Sequence, residues 1–214
     1  MFHVKHSAFS ASELQEILRF LEWKTDDFRW EKLAIFLNRV REAGLNLVSR
    51  GDRERLLERH LVPSLEVIEY VGETGELLDV GSGGGFPGIQ LALARPELQV
   101  VMVEANERKT AFLKRVVREL MLRNVEVVRG RIEEIDSQHI NHYDIATVRA
   151  VSKLPQLIGW TEKFLKEDGR WLLWKAGDWR KEGDLDKLGV ELIAEKKLMD
   201  GSALIELKKM RNEK

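Results

Sequence analysis

The chain contains no cysteine, which excludes disulfides, zinc–thiolate sites and any mechanism with a cysteine nucleophile. No apolar run approaches the length of a bilayer span, and no signal-peptide pattern opens the sequence. A cytoplasmic protein away from membranes is therefore expected, and no metal site is expected. Internal repeats and low-complexity tracts are absent. Net charge is nearly absent too: 35 Lys+Arg against 36 Asp+Glu leave −1, so the whole molecule is no obvious polyanion binder. What remains is 214 residues, 43% of them apolar, enough for one substantial domain with an appendage and too apolar for wholesale disorder. A monomer is expected.

The chain is organised around Leu77–Gly88. Glu76–Val80 is short, apolar and preceded by turn residues, which reads as a buried strand. Five glycines follow within eight positions, at 81, 83, 84, 85 and 88, and a helix begins near Ile89 and ends at Arg95-Pro96. Strand, glycine loop and helix together turn backbone N–H groups toward a ligand, and glycine permits both the close approach and the positive φ angles. From Gly83 to Gly88 the loop satisfies the dinucleotide fingerprint G-x-G-x-x-G. From Asp79 to Gly85 it resembles the D-x-G-x-G-x-G loop of S-adenosylmethionine (SAM) methyltransferases. Asp79 discriminates, because an acid repels a pyrophosphate and attracts the ammonium and sulfonium of SAM. A glycine-rich turn without any ligand is the bland alternative.

Residues 1–74 read as a helical N-terminal region and 75–214 as a SAM-dependent methyltransferase domain. In the first, Ser10-x-x-Glu13 and Ser12-x-x-Gln15 are overlapping capping boxes for a helix carrying Leu14, Ile17, Leu18 and Leu21. A second helix is expected from Thr25 or Asp26 to Gly44, with Phe28, Leu33, Phe36, Leu37 and Val40 on its buried side. Trp23, Trp30 and Phe36 suit core packing better than base stacking. A charged helix should run to His60, and another from Pro63 to Tyr70. Cations gather in two places: Arg50, Arg53, Arg55, Arg59 and His60, then Arg108, Lys109, Lys114, Arg115, Arg118, Arg123, Arg129 and Arg131. RNA contact is expected at Arg50, Arg53, Arg59, Arg108, Lys109, Arg115 and Arg123, the last four bordering the cofactor edge. Interspersed Glu54, Glu58, Glu107 and Glu119 leave solvated helix faces as the alternative.

From Glu76 strands and helices alternate, which predicts a doubly wound parallel sheet. The expected strands are 76–80, 99–104, 125–129, 143–148 and 170–174, then a terminal hairpin of 191–197 and 203–208. Helices are expected over Glu107–Leu122, burying Ala111, Phe112, Leu113, Val116, Val117 and Leu120, and over Leu154–Leu165. By analogy this is an α/β, Rossmann-like class I methyltransferase fold: a mostly parallel seven-stranded sheet with a C-terminal antiparallel hairpin strand. Ligands of such sheets sit beyond the carboxyl ends of the strands. That rule nominates Glu104 for ribose hydroxyls, Ile132 and Glu133 for adenine, and Arg149 and Lys175 as catalytic candidates. Asp79, Gly81, Gly83, Gly85 and Phe86 complete the expected cofactor set.

The loop Gly81-Ser82-Gly83-Gly84-Gly85-Phe86-Pro87-Gly88 resembles the G-[ST]-G-x-G-[FL]-P-G loop of the bacterial small-subunit ribosomal RNA guanine-N7 methyltransferases, the glucose-inhibited division protein B family. Asn46-Leu47, His60-Leu61, Lys109-Thr110-Ala111-Phe112-Leu113, Asn124-Val125, Arg131-Ile132-Glu133, Arg149-Ala150-Val151 and Lys175-Ala176-Gly177 are similar as well, so the likeness spans about residues 46–177. It implies SAM contact at Gly81, Phe86, Ile132, Glu133 and Arg149, and a ribosomal RNA or subunit as partner. Pro63 stands where that family has the acid of H-x-x-D-S, Thr110 replaces the second base of K-R, and Ala176 interrupts Lys-Gly. The chemistry agrees. Guanine N7 carries a free lone pair and no proton, so its methylation needs positioning rather than a general base. No N/D-P-P-Y/F follows strand four, and without cysteine the covalent route to C5-methylpyrimidines is closed. A set of Asp144, Lys175 and Glu206 for ribose methylation fails because Asp144 starts its strand. A methyltransferase of small molecules or proteins, and a non-enzymatic RNA-binding module, are the competing classes.

Overall fold

A computed structural model describes residues 8–24, 27–149 and 152–210, with Arg50 described by its backbone. The expected helix start at Thr25 or Asp26, and Ala150-Val151 of the motif after strand four, lie outside the described residues. β1 (Thr74–Val80) runs parallel between β2 (Glu97–Glu104) and β4 (Tyr143–Arg149). β3 (Val125–Arg129) pairs outside β2, and β5 (Leu165–Lys175) pairs outside β4. β7 (Ala203–Lys209) joins β5 antiparallel and carries β6 (Val190–Lys197) at the edge. The order is β3-β2-β1-β4-β5-β7-β6, so the winding direction reverses between β1 and β4. This is the expected mostly parallel sheet with its C-terminal hairpin.

Alternation along β1 builds two cores, because successive side chains point to opposite faces. Leu77 enters the core shared with α4 (Gly88–Ala94), α5 (Glu107–Glu119) and the N-terminal helices. Leu78 and Val80 enter the other, with α6 (Leu154–Thr161), Trp171 and Trp179. In the N-terminal region Ser10 Oγ accepts from Glu13 N at 3.2 Å and caps α1 (Ala11–Ile17); Ser12 lies inside that helix. α2 (Arg29–Glu42) buries Trp30, Leu33, Phe36, Leu37 and Val40, so Trp30 and Phe36 are core. Trp23 is partly buried, with the Arg29 guanidinium 4.3 Å from its ring centre.

Several expectations need correction. Phe28 precedes α2 and is 59% exposed rather than buried. Ala111 points to solvent, and Thr110 takes the inward position because its hydroxyl bonds the Glu104 carbonyl at 3.0 Å. The helix expected to Leu165 ends at Thr161, and β5 starts at Leu165, with a register shift opposite Tyr143–Ile145 that absorbs Asp168-Gly169. The charged helix of residues 50–60 is not regular. It is a 3₁₀ turn over Arg50–Arg55 and a π-helical turn over Leu57–Leu61, followed by the short α3 (Val62–Leu65).

Candidate functional site

All five parallel strands end at one edge of the sheet, and the segments that follow them meet there. Between β1 and α4 the chain turns through Gly81, Gly83 and Gly85, with φ angles of 70°, 54° and 96° that branched side chains avoid. Gly81 and Ser82 donate to the Val103 carbonyl and Gly85 donates to the Ser82 carbonyl, so the loop is held against β2 and on itself. At Gly88 the requirement is packing: a Cβ would stand 2.7 Å from Asp79 Oδ2. Phe86 lies between Phe36 and His60, each ring centre 5.1 Å away, which ties the loop to the N-terminal helices.

Asp79 lies beneath this loop, 1% exposed. Its Oδ1 accepts from Thr147 Oγ1 at 2.9 Å, and its Oδ2 has no hydrogen-bond partner. Burial pushes the carboxyl up to about 6, against the opposing influence of the Ser82 and Thr147 hydroxyls and the Gly88 N–H. A cation placed nearby would favour ionisation again. Glu104 ends β2 and is buried; its Oε2 accepts from Gly83 N at 2.9 Å and its Oε1 from Asn106 N at 2.7 Å. An ionised carboxylate offers about four acceptor positions, so capacity remains for ligand hydroxyls. After β3, Ile132 is buried in a 3₁₀ turn and Glu133 beside it is exposed.

Arg149 ends β4 and meets the π-helical turn. In that turn the Val62 N–H reaches the Leu57 carbonyl, five residues back. The wider turn leaves carbonyls open to outside donors, as such turns do at functional sites. Arg149 uses two of them: Nη2 donates to the Arg59 carbonyl, and Nη1 donates to the His60 carbonyl at 3.3 Å and to Ser64 Oγ at 3.5 Å. Asp200, in the β6–β7 turn, brings Oδ2 to 3.6 Å from Arg149 Nη2, and the two side chains are 6% and 15% exposed. Burial lowers the guanidinium's pKa while the Asp200 charge opposes the change. Lys175 ends β5 in a buried ion pair with Glu182, and its Nζ donates to the Ser152 carbonyl at 3.2 Å.

The two basic groups differ. Arg53 Nη2 donates to the Leu45 carbonyl at 2.8 Å, and Arg59 Nη1 to the Asp200 carbonyl at 2.9 Å, with Asp52 at 3.5 Å from Arg59 Nε. Nothing is described of the Arg50 side chain. His60 is no cation: burial pushes it down to about 4, helped by the Arg149 charge and against that of Asp52. On α5, Arg108 and Arg115 are exposed and Lys109 is partly so, and no ion pair to them is described. Arg123 does not border the cofactor edge. It precedes β3, next to Asn124, whose amide bonds the Ala92, Arg95 and Leu98 carbonyls at the opposite end of the sheet. The reason is connectivity: a helix crossing back from β2 to β3 carries its C-terminus to the amino edge. Asp144 likewise sits at that edge, paired with Lys166 and bonded to Glu76 N.

Sequence reasoning misses Thr147, Asp200 and Glu182. Thr147 could have been found, because two positions before Arg149 on a strand places it on the same face. Asp200 reads as a turn residue, and nothing local points from it to β4.

Comparison with known proteins supplies independent findings. A family model described as rRNA small subunit methyltransferase G matches residues 29–199. A protein of Neisseria meningitidis serogroup C named Ribosomal RNA small subunit methyltransferase G is 39% identical over 151 residues, covering 71% of this chain and 70% of its own. One of the same name from Pseudothermotoga lettingae is 34% identical over 187 residues, covering 85% and 82%. Among solved structures, a SAM-dependent methyltransferase from Aquifex aeolicus superposes with a TM-score of 0.58 at 18% identity, covering 72% of this chain and 93% of its own. M. jannaschii TYW2 in complex with AdoMet gives 0.57 at 18% identity, covering 76% and 78%. These last two bear on fold alone.

Proposed function

Because the chain belongs to the rRNA small subunit methyltransferase G family, we propose that it transfers a methyl group from SAM to N7 of a guanine in small-subunit ribosomal RNA. The observation that carries the reading is the meeting of the glycine loop, Glu104, Ile132-Glu133 and Arg149 at one sheet edge, beside the reversal of winding between β1 and β4. The residues suit the cofactor. Asp79 sets a buried carboxylate below the loop, whose charge favours a positive ligand above it, and Glu104 has spare acceptor capacity. We assign the cofactor to Asp79, Gly81, Gly83, Gly85, Phe86, Glu104, Ile132, Glu133 and Arg149.

When bound, SAM supplies a methyl group on a positively charged sulfur, and transfer to N7 leaves that charge on the guanine ring. N7 has no proton to remove, so no general base is assigned. Arg149 and Lys175 are the groups assigned to orient the base. Their pairing with Asp200 and Glu182 keeps the edge close to neutral, so neither cationic reactant nor cationic product meets an unbalanced positive wall. RNA phosphates are assigned to the outer face of α5, at Arg108, Lys109 and Arg115. In this reading the described residues before Thr74 make up the helical region, and β1, which starts at Thr74, opens the methyltransferase domain. The protein works in the cytoplasm as a monomer without a metal ion. Among the described residues no helix is long and apolar enough to cross a membrane, and no cluster of three or more His, Asp or Glu side chains could hold a metal.

The test is mass spectrometry of small-subunit rRNA from cells with and without the gene. One guanine should lose a methyl group in the deletion and regain it on complementation, with the chemical reactivity of N7-methylguanine. Unchanged rRNA methylation would refute the assignment.

A further inference from the structure

We infer that Asp200, in the turn of the C-terminal hairpin, is a positioning residue for Arg149. The inference rests on Arg149 belonging to the reaction site. β7 runs antiparallel to β5, with Ala203 opposite Lys175, so the β6–β7 turn falls at the same edge as the ends of the parallel strands. From there Asp200 reaches two neighbours. Its carbonyl accepts from Arg59 Nη1 at 2.9 Å, and its Oδ2 faces Arg149 Nη2 at 3.6 Å. Every other described partner of the Arg149 guanidinium is neutral: the Arg59 and His60 carbonyls and Ser64 Oγ. A guanidinium with only 15% of its side chain exposed needs a counter-charge, and among the described residues Asp200 is the acid within ion-pair distance, with Asp52 and Asp79 acting from farther away. The two oxygens of Asp200 divide the work. Oδ1 closes the hairpin turn by accepting from Ser202 N at 2.9 Å and from Ser202 Oγ. Oδ2 carries the charge toward Arg149.

That division makes the inference testable. Asp200→Asn keeps an acceptor oxygen for the turn and removes the charge; Asp200→Glu keeps the charge; Ser202→Ala weakens the turn and leaves Oδ2 in place. Single-turnover methylation of small ribosomal subunits, SAM affinity and thermal unfolding are measured for each, alone and combined with Arg149→Ala. Asp200→Asn should slow methyl transfer by about tenfold or more and also lower the unfolding midpoint, because the fork-like guanidinium loses its orientation and is left buried without its counter-charge. Asp200→Glu should recover part of the rate, and Ser202→Ala should transfer at the wild-type rate. In the Arg149→Ala background Asp200→Asn should cost nothing further, because the pair acts as a unit. If Arg149→Ala is slow but Asp200→Asn is not, or if the two losses multiply, Asp200 acts independently and the inference falls. The same follows if Asp200→Asn and Asp200→Glu are equally slow and both melt early, since turn stability would then explain them. Full activity in Arg149→Ala would instead remove Arg149 from the site and the reading beneath.

Discussion

Asp79 holds a carboxyl where solvation cannot help it, and the cost should be measurable. Its ordinary value of 3.8 is raised to about 6 by burial. A folded value above the unfolded one means that the protonated form is favoured by folding, so this contribution is complete below about 3.8 and is lost as pH rises through 6. Asp79→Asn should therefore gain stability over the wild type on going from pH 4 to pH 7, by on the order of 3 kcal/mol without SAM. Denaturant titrations at the two pH values check this. Binding should move the other way. A cationic ligand favours the ionised carboxylate, so wild-type affinity for SAM should rise between pH 5 and pH 7.5, while Asp79→Asn should bind weakly and without that dependence. Calorimetry that shows equal SAM affinity in the variant would remove Asp79 from the cofactor's surroundings.

The α5 helix shows what an element adds to its residues. Asn106 caps it by accepting from Lys109 N at 3.1 Å, just after Glu104, so Arg108 and Lys109 stand by the cofactor edge while the helix C-terminus points away. Its outer face carries Arg108, Lys109 and Arg115, the cations assigned above to RNA phosphates; Arg53 and Arg59 are already committed to carbonyls of their own chain. Charge reversal at Arg108 and Arg115 should raise KM for RNA and flatten the salt dependence of binding by about one unit of slope for each phosphate no longer neutralised, with SAM affinity unchanged. Reversal at Arg53 should instead lower the unfolding midpoint. Filter binding across a salt series, with melting curves, separates the two, and a salt slope unaffected by the α5 reversals would leave that face as solvated surface. The sequence could show where cations cluster but not which are spent, because Arg53 and Leu45 meet through a tertiary turn. It did show the strands, since their apolar runs and bounding turns are local. It showed the site edge too, because parallel strands must end together. The π-helical turn was illegible: Leu57–Leu61 has ordinary helical composition, and its widening is visible only with the guanidinium that uses it.

At the scale of the whole molecule the N-terminal helices and the hairpin are joined to the site rather than appended to it. Phe36 and His60 grip Phe86 of the glycine loop, and Leu47 packs so close to Gly84 that a Cβ there would lie 3.0 Å from the Leu47 carbonyl. This convergence of distant segments is what composition and periodicity could not reveal. It also has a kinetic side. The Arg149 clamp links positions 90 apart in the chain, Arg59 and Arg149, and the hydrogen bond between Arg59 and Asp200 spans 141. Closing loops of that length adds little to the equilibrium cost, which grows only with the logarithm of length, but loop closure must be met before such contacts stabilise, so they are expected among the later ones to form. A chain diluted from denaturant should regain its helical circular dichroism first and its capacity to bind SAM in a later, slower phase. Stopped-flow refolding with a fluorescent SAM analogue would resolve the two, and coincident recovery would show that the clamp forms with the sheet. Two separate phases would mean that a newly made molecule has the outline of a methyltransferase before it can hold its reactants, and passes through an inert interval before its first turnover.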